Sequence, residues 1–381
     1  MKIVCFSEIQ WHYLRTRKQQ ILTRFPRDWE ILFLSTVVQG KRNNFLPKRD
    51  GRVVHVCIPI FKNFPQAAIR AMFSIPLFRF LWNVVMYLWL NVVFIVTGFA
   101  GHRRIFYVSN IYYAAVLGHL SRSVMLYDCN DDPLGFENTP AWASGYFERL
   151  VREADITVAV SGGLVDLLKK TGAGAVQRVA NGVDYDLFSE AAAAGVPDEL
   201  RNLAKPVIGY VGAIAHWFDF GLIGRLACDF PEASLVLVGP VYRNLEGELG
   251  NLLERHRNIH HLGSRPYGQL GGYIAAMDVC LIPLKVTELR RMADPNKLYE
   301  YAAAGKPIVT MKYSEDMEAM ADIIYLAESA DGFVEKVRIA LERGVDRQKL
   351  VAFARESSWQ VRADAMADLI LNGLGKERER S

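Results

Sequence analysis

Asp294-Pro295-Asn296-Lys297-Leu298-Tyr299-Glu300-Tyr301-Ala302-Ala303-Ala304-Gly305-Lys306-Pro307-Ile308-Val309-Thr310 decides how this chain is read. A proline at the first turn, a helix-forming run, then Gly305 and Pro307 leading into β-branched residues describe a short helix feeding a buried strand. Lys297 and Glu300 stand three apart, on one side near the helix start, where backbone N–H groups and the helix dipole favour an anion. Such a helix can hold a phosphate with its start and a sugar hydroxyl with its carboxylate. The same residues also fit an ordinary solvated helix face.

Outward from this stretch, strands and helices alternate. Strands are expected at 206–211, 233–239, 258–262, 278–283, 307–311 and 322–326, with helices over 221–230, 245–256, 269–277 and 332–343 between them. The first half repeats the scheme, with strands at 2–6, 29–35, 53–59, 105–109, 124–128, 156–161 and 177–180. Short apolar runs alternating with helices mean a parallel sheet covered on both faces. The expected class is therefore α/β, with two doubly wound, Rossmann-like domains facing each other across a cleft and ligands at the carboxyl ends of the strands. Residues 191–197 and Lys205-Pro206 read as the connection, giving a first domain over 1–195, a second over 196–355 and a terminal helix within 356–381. The charged tail from Lys376 to Ser381 is expected to fray.

A chain of 381 residues with 51% hydrophobic residues is long enough for two domains and is neither disordered nor fibrous. Its net charge of +4 is unevenly spread. Residues 1–125 hold 17 Lys and Arg against 4 acids, a net +13, which leaves −9 for the remainder. The basic part is expected to meet an anionic lipid surface or a phosphate-bearing acceptor. No nucleic-acid module is recognisable, so nucleic acid is not an expected partner. The five cysteines, Cys5, Cys57, Cys129, Cys228 and Cys280, are scattered, without metal-ligand spacing, and read as reduced cytosolic thiols. The start of the chain reads as a strand instead of a signal peptide, which places the site on the cytoplasmic side.

Ile75 to Thr97 approaches membrane-spanning length but is interrupted by Arg79, Asn83 and Asn91. A span would divide the first domain across the bilayer. The segment is either a buried helix or one whose apolar face is partly exposed, and the second reading is preferred. Trp82, Tyr87 and Trp89 then serve as interfacial anchors beside a basic surface.

The run Pro-Asn-Lys-Leu-Tyr-Glu-Tyr-x-Ala-x-Gly-Lys-Pro-x-Val resembles the nucleotide-sugar helix of two-domain (GT-B) glycosyltransferases, most of all the bacterial "glycosyl transferases group 1" family and its polysaccharide and teichuronic-acid-type members. Three further runs extend the resemblance: Ala154 to Leu164, Val179-Ala180-Asn181-Gly182-Val183-Asp184 with Phe188, and Tyr127-Asp128-Cys129-Asn130-Asp131-Asp132. It implies that Gly212, Arg265, Asn296, Lys297 and Glu300 bind the nucleotide sugar, Glu300 at the ribose and Arg265 to Tyr267 through backbone groups at the base. It also implies that Asp131 or Asp132 deprotonates the acceptor or stabilises developing positive charge, and that the terminal helix crosses back to the first domain. No metal or other cofactor is implied, since family members neutralise the diphosphate with cations and helix starts.

The chain departs from the family pattern at two places. Ala213 and, approximately, Asp219 stand where an Arg and a Lys are common, and Met292 replaces the first of two paired glutamates. Lys297, aided by Arg290 or Arg291, must then supply the cation. The expected activity is hexosyl transfer from a nucleotide diphosphate sugar to a lipid-linked or oligosaccharide acceptor in surface-polysaccharide synthesis, peripheral to the inner face of the cell membrane. A nucleotide-sugar 2-epimerase of the same architecture, or a non-catalytic assembly partner, is the alternative.

Overall fold

The computed structural model describes residues 1–12, 15–38, 43–61, 67–136, 138–191 and 195–380. The chain divides into two compact units, Met1–Ala180 with Arg362–Ser381, and Asn181–Val361. The division thus falls fifteen residues before the expected boundary at 195, because Asn181 and Val183 are bonded to residues of the second unit. Residues 192–194 of the expected connection lie outside the described residues.

The first unit is built on eight strands: β1 (Lys2–Phe6), β2 (Glu30–Val37), β3 (Lys48–Asp50), β4 (Val53–Phe61), β5 (Arg104–Val108), β6 (Val124–Cys129), β7 (Ile156–Ala159) and β8 (Val176–Arg178). They lie in the order β3-β4-β2-β1-β5-β6-β7-β8. All neighbours are parallel except β3 and β4, which pair antiparallel through a turn at Gly51, φ +59°. β3 has no apolar pattern, being Lys-Arg-Asp and fully exposed, so nothing in its own sequence announces it. The inner strands are apolar on both faces and buried throughout β5 and β6, as a sheet covered on both sides requires. The helix Trp359–Arg380 runs to the end of the described chain, and Lys376-Glu-Arg-Glu-Arg consists of good helix formers. Its Gly373 lies against Ile156 and Val124 of the first sheet, where an added β-carbon would come within 2.9 Å of Ile156 Cδ1.

At the carboxyl ends of β1, β5 and β6 lies a buried polar network. Thr16 and Gln19 form a capping box that starts the helix Arg17–Arg24. Its first two residues are cations, both about 3% exposed. The Arg17 Nε donates to both Asp128 oxygens, at 3.1 and 2.9 Å, and its Nη1 to the Ala180 carbonyl at 2.9 Å. The Tyr107 hydroxyl donates to Asp128 Oδ2. Lys18 pairs with Glu8, whose second oxygen accepts from the Ser109 hydroxyl at 2.9 Å. With its amide oriented to satisfy both neighbours, Asn130 donates to Asp128 at 3.3 Å and accepts from Lys18 at 2.9 Å.

The second unit has six strands, β9 (Val207–Val211), β10 (Ser234–Val238), β11 (Ile259–His261), β12 (Val279–Ile282), β13 (Ile308–Met311) and β14 (Tyr325–Ala327). All are parallel, in the order β11-β10-β9-β12-β13-β14. This is the 3-2-1-4-5-6 order of a doubly wound fold, whose strand order reverses between β9 and β12, where ligands bind. β1 and β5 hold the same place in the first sheet.

Asp128 is fully buried, and removing its charge leaves the Arg17 guanidinium uncompensated. Asp128→Asn should lower stability by about 3–5 kcal/mol in denaturant unfolding, because a buried charge without its partner is costly. A loss under about 1 kcal/mol would mean the ion pair contributes little.

Candidate nucleotide-sugar site

The second unit brings Gly212, Lys297, Glu300 and Asn296 to the carboxyl edge of its sheet, at the reversal of strand order. Pro295 is the N-cap of the helix Asn296–Ala303 instead of its first helical residue, and no side chain caps that helix. Its first-turn N–H groups thus form a helix start suited to an anion.

Three glycines shape the edge. Gly212 follows β9 with φ +148°, a region that disfavours any residue with a β-carbon. An added β-carbon there would fall 2.0 Å from Lys297 Cε and 2.6 Å from its Nζ, so the lysine side chain occupies the space that the glycine leaves. Lys297 Nζ lies 5.4 Å from the centre of the Tyr210 ring. Gly239, after β10 and also at φ +148°, packs directly on the Gly212 carbonyl. Backbone bonds join the two turns to their neighbours: Gly212 N–H donates to Val238 at 2.8 Å and Gly239 N–H to Gly263 at 2.9 Å. His261 Nε2 sits 2.9 Å from the Gly239 oxygen.

From below, the Tyr301 hydroxyl accepts from Val211 N–H at 2.8 Å. The Tyr210 hydroxyl donates to the Ala213 carbonyl at 2.8 Å. The helix start is held separately. Asn181 N–H donates to Asp294 Oδ2 at 2.6 Å, the Asn181 side-chain amide donates to the Asp294 carbonyl at 2.6 Å, and the Tyr299 hydroxyl donates to Oδ1 at 2.8 Å. The Asn-Gly turn and the Asp-Pro-Asn-Lys run, 113 residues apart, are therefore one structural device.

Glu300 is buried, and burial raises its carboxyl to about 7, against the opposing pull of Lys297 and of a hydrogen bond with Tyr267. The Oδ1 atom of Asn296 is buried without a hydrogen-bond partner among the described residues. The Arg265 side chain is occupied, its Nε donating to the Tyr273 hydroxyl at 2.7 Å and its terminal nitrogen pairing with Glu199. Any part it takes in ligand binding falls to its backbone. Asp219 caps the helix Phe220–Asp229, accepting from Leu222 N–H at 2.9 Å. His216 is exposed beside Trp217, and the Arg290 side chain lies outside the described residues.

In the first unit, Asp131 and Glu8 line one pocket with Ser109, Asn110, Tyr112 and Tyr127. Asp132 instead turns back to accept from Leu134 N–H at 2.9 Å. Sequence reading missed the Arg17–Asp128 pair and the Lys18–Glu8 pair behind this pocket. The available signal was two cations in a helix's first turn, against the helix dipole, which demand acids nearby. Among the described residues, no group of three or more His, Cys, Asp or Glu is arranged to hold a metal ion. All five cysteines are free, and only Cys228 is exposed.

Residues 205–343 match the family model "Glycosyl transferases group 1". The matched region covers most of the second unit. A protein of Bacillus subtilis (strain 168), named as a glycosyltransferase of teichuronic acid biosynthesis, is 31% identical over 164 residues. That match spans 42% of this chain and 41% of the relative, so the chain aligns with less than half of its curated relative's length.

The two-unit GT-B fold is shared with solved structures across nearly the whole chain. Sucrose-phosphate synthase from Thermosynechococcus elongatus superposes with a TM-score of 0.72 at 13% identity, covering 98% of each chain. The trehalose 6-phosphate synthase of Burkholderia multivorans gives 0.70 at 12%, over 100% of this chain and 99% of that one. Anabaena HepE in complex with UDP and glucose gives 0.67 at 16%, over 97% and 99%.

The packing of Gly239 on Gly212 sets a stability test. Gly239→Ala would place its β-carbon 2.0 Å from a backbone oxygen that cannot move aside. It should destabilise by about 2–4 kcal/mol, combining backbone strain with overpacking. Gly247→Ala, in a helix with open space around it, serves as the control and should be neutral or slightly stabilising. Equal thermal midpoints for the two variants would show that the glycine contact is dispensable.

Proposed function

We propose that the chain transfers a hexose from a nucleoside diphosphate sugar to a saccharide acceptor. The observation that carries this reading is the seating of Lys297 over Gly212 at the reversal of strand order, beside an uncapped helix start. The ammonium and the first-turn N–H groups would hold the diphosphate, and Glu300 would accept from the ribose hydroxyls. Asn296, with an unpaired buried oxygen, would accept from a donor hydroxyl. The backbone of Arg265 to Tyr267 would edge the base. UDP in the Anabaena neighbour and the glycosyltransferase name of the Bacillus relative support the substrate class. Neither identifies the sugar or the base.

On the first unit, Asp131 is the preferred general base or charge-stabilising group, because it lines the pocket that Asp132 turns away from. The Lys18 and Ser109 contacts hold Glu8 in position beside it. Asp131→Asn should lower turnover by roughly 10²–10⁴-fold with nucleotide affinity intact, and Asp132→Asn should lower it much less. The opposite order would move the role to Asp132, and near wild-type rates for both would move it to Glu8. The acceptor proposed is a lipid-linked saccharide taken at the cytoplasmic face of the membrane; the Bacillus relative's name, a glycosyltransferase of teichuronic acid biosynthesis, supports only the polysaccharide class.

Two measurements test the donor site. Lys297→Ala should weaken nucleoside diphosphate binding by about 1.5–3 kcal/mol while barely changing nucleoside binding, as expected for loss of a charge-assisted contact. Calorimetry that finds equal diphosphate affinity for mutant and wild type removes Lys297 from the phosphate site.

Glu300 makes the second test one of pH. Burial raises its carboxyl to about 7, so it is protonated below that value, while an unfolded glutamate is ionised above its ordinary value near 4.5. The stabilising effect of keeping Glu300 neutral is therefore full below about 4.5 and lost as pH rises through about 7. Accepting from two ribose hydroxyls favours the ionised form. Uridine affinity, free of phosphate titration, should rise as pH increases through about 7 and should become pH-independent in Glu300→Gln.

A further inference from the structure

The helix Pro76–Thr97 is built inside out. Its large apolar residues face away from the protein: Leu77, Phe80, Leu81, Val84, Val85, Leu88, Val92, Ile95 and Val96 form one stripe along its whole length, between 41% and 69% exposed. Only Met86, Leu90, Val93 and Phe94 are buried. The polar residues point inward and are used. Asn83 donates to the Tyr146 hydroxyl at 3.0 Å, and Arg79 donates to the Phe73 carbonyl at 2.6 Å and lies over the Trp142 ring. A helix on a soluble surface has the reverse arrangement. So continuous an exposed apolar face marks an interaction surface.

The chain around this stripe is basic. Between Asp50 and Asp128 the sequence contains no acidic residue but seven Lys and Arg, among them Arg70 on the helix Ala67–Ser74 before the stripe and Arg103 after it. Asp28 and Glu30 line one hollow with Lys2, His102, Arg103 and Arg104, where the cations outnumber the acids. Exposed His102 and Arg103 follow the helix end, where Lys2 donates to the Gly98 carbonyl. Crossing the bilayer is excluded by topology. β4 before the helix and β5 after it belong to one sheet, so a span would place two strands of that sheet on opposite sides of the membrane.

We infer that this helix lies in the plane of an anionic lipid surface, its outer stripe embedded among the acyl chains and the adjoining cations at the head groups. The inference rests on the proposed lipid-linked acceptor only in placing that surface at the acceptor's membrane. Sequence reading named Trp82, Tyr87 and Trp89 as interfacial anchors beside a basic surface, and the structure redistributes those roles. Trp82 packs against Phe73 and Phe78. Arg104 is buried and bonded to the Phe99 and Ser121 carbonyls. The embedded face is the aliphatic stripe with Trp89, and Arg103 is the cation at its end.

The test uses the full chain and vesicles of phosphatidylglycerol or of phosphatidylcholine. Sedimentation should show binding to phosphatidylglycerol that weakens with added salt, and little binding to phosphatidylcholine. The double variant Leu88→Gln, Val92→Gln should lose at least about tenfold in vesicle affinity, since each replaces an apolar side chain that the lipid would bury. Arg103→Gln should lose about fivefold at low salt. Both variants should keep the wild-type thermal midpoint and uridine affinity, which shows that they fold. Equal binding to both lipids would overturn the anionic surface. Resistance of the vesicle-bound chain to alkaline extraction would overturn the in-plane arrangement. A dimer that dissociates in the double variant, without vesicle binding in the wild type, would assign the stripe to a second copy instead. A chain that binds vesicles but none of a panel of nucleoside diphosphate sugars leaves this inference standing and removes the transfer reading; one that transfers sugar but ignores vesicles does the reverse.

Discussion

Two glycines in contact govern the second unit's carboxyl edge. Gly239 rests on the Gly212 carbonyl, and the side chain of Lys297 fills the space above Gly212. Each member constrains the next. A β-carbon at Gly239 would lift the Gly212 turn, and one at Gly212 would evict Lys297. The backbone has therefore been brought close enough to the helix start for a flexible lysine to be held along its stem while its charged end stays at the edge of the sheet. Such close backbone approach is what a glycine at the reversal of strand order permits. Tyr301 and Tyr210 complete the arrangement by bonding to the backbone of the same turn.

The first unit handles charge in another way. Its equivalent edge carries Arg17, Lys18, Asp128 and Glu8, in pairs that are largely or wholly removed from water. Such pairs contribute little net stability compared with apolar packing, and breaking one is costly. Their service is to fix geometry. Glu8 is held from two sides, by Lys18 and by Ser109, and so presents a rigid carboxylate to the pocket beside Asp131. The two edges thus differ in kind, one shaped by glycine backbone and a single lysine, the other by a connected set of charges.

Much of this was legible in the sequence because the inner strands are short, largely apolar runs separated by helical stretches, and that pattern depends only on local chemistry. β3 was not legible, since three exposed charged residues acquire strand geometry only by pairing with β4. The motif around Lys297 was readable as a helix start. Its dependence on Asn181 was not, because a bond across 113 residues leaves no periodicity. The same limit hid the Arg17–Asp128 pair. The segment 75–97 was recognisable as apolar, but which of its faces meets the protein is decided by Tyr146, Phe73 and Trp142, far from it or beside it in the chain. That is why Trp82, which packs against Phe73 and Phe78, was assigned to the outer face.

The anchoring of Asp294 has a consequence for how such a chain can diverge. The helix start is held by Asn181 and by Tyr299 through Asp294. The segment that leads into it starts from a second fixed point, where Lys285 N–H donates to the Trp217 carbonyl at 2.9 Å. Insertions or deletions between these two anchors would change what surrounds the carboxyl edge while leaving both anchors in place. Loop length in that segment is thus a variable through which related chains can reshape the approach to Lys297.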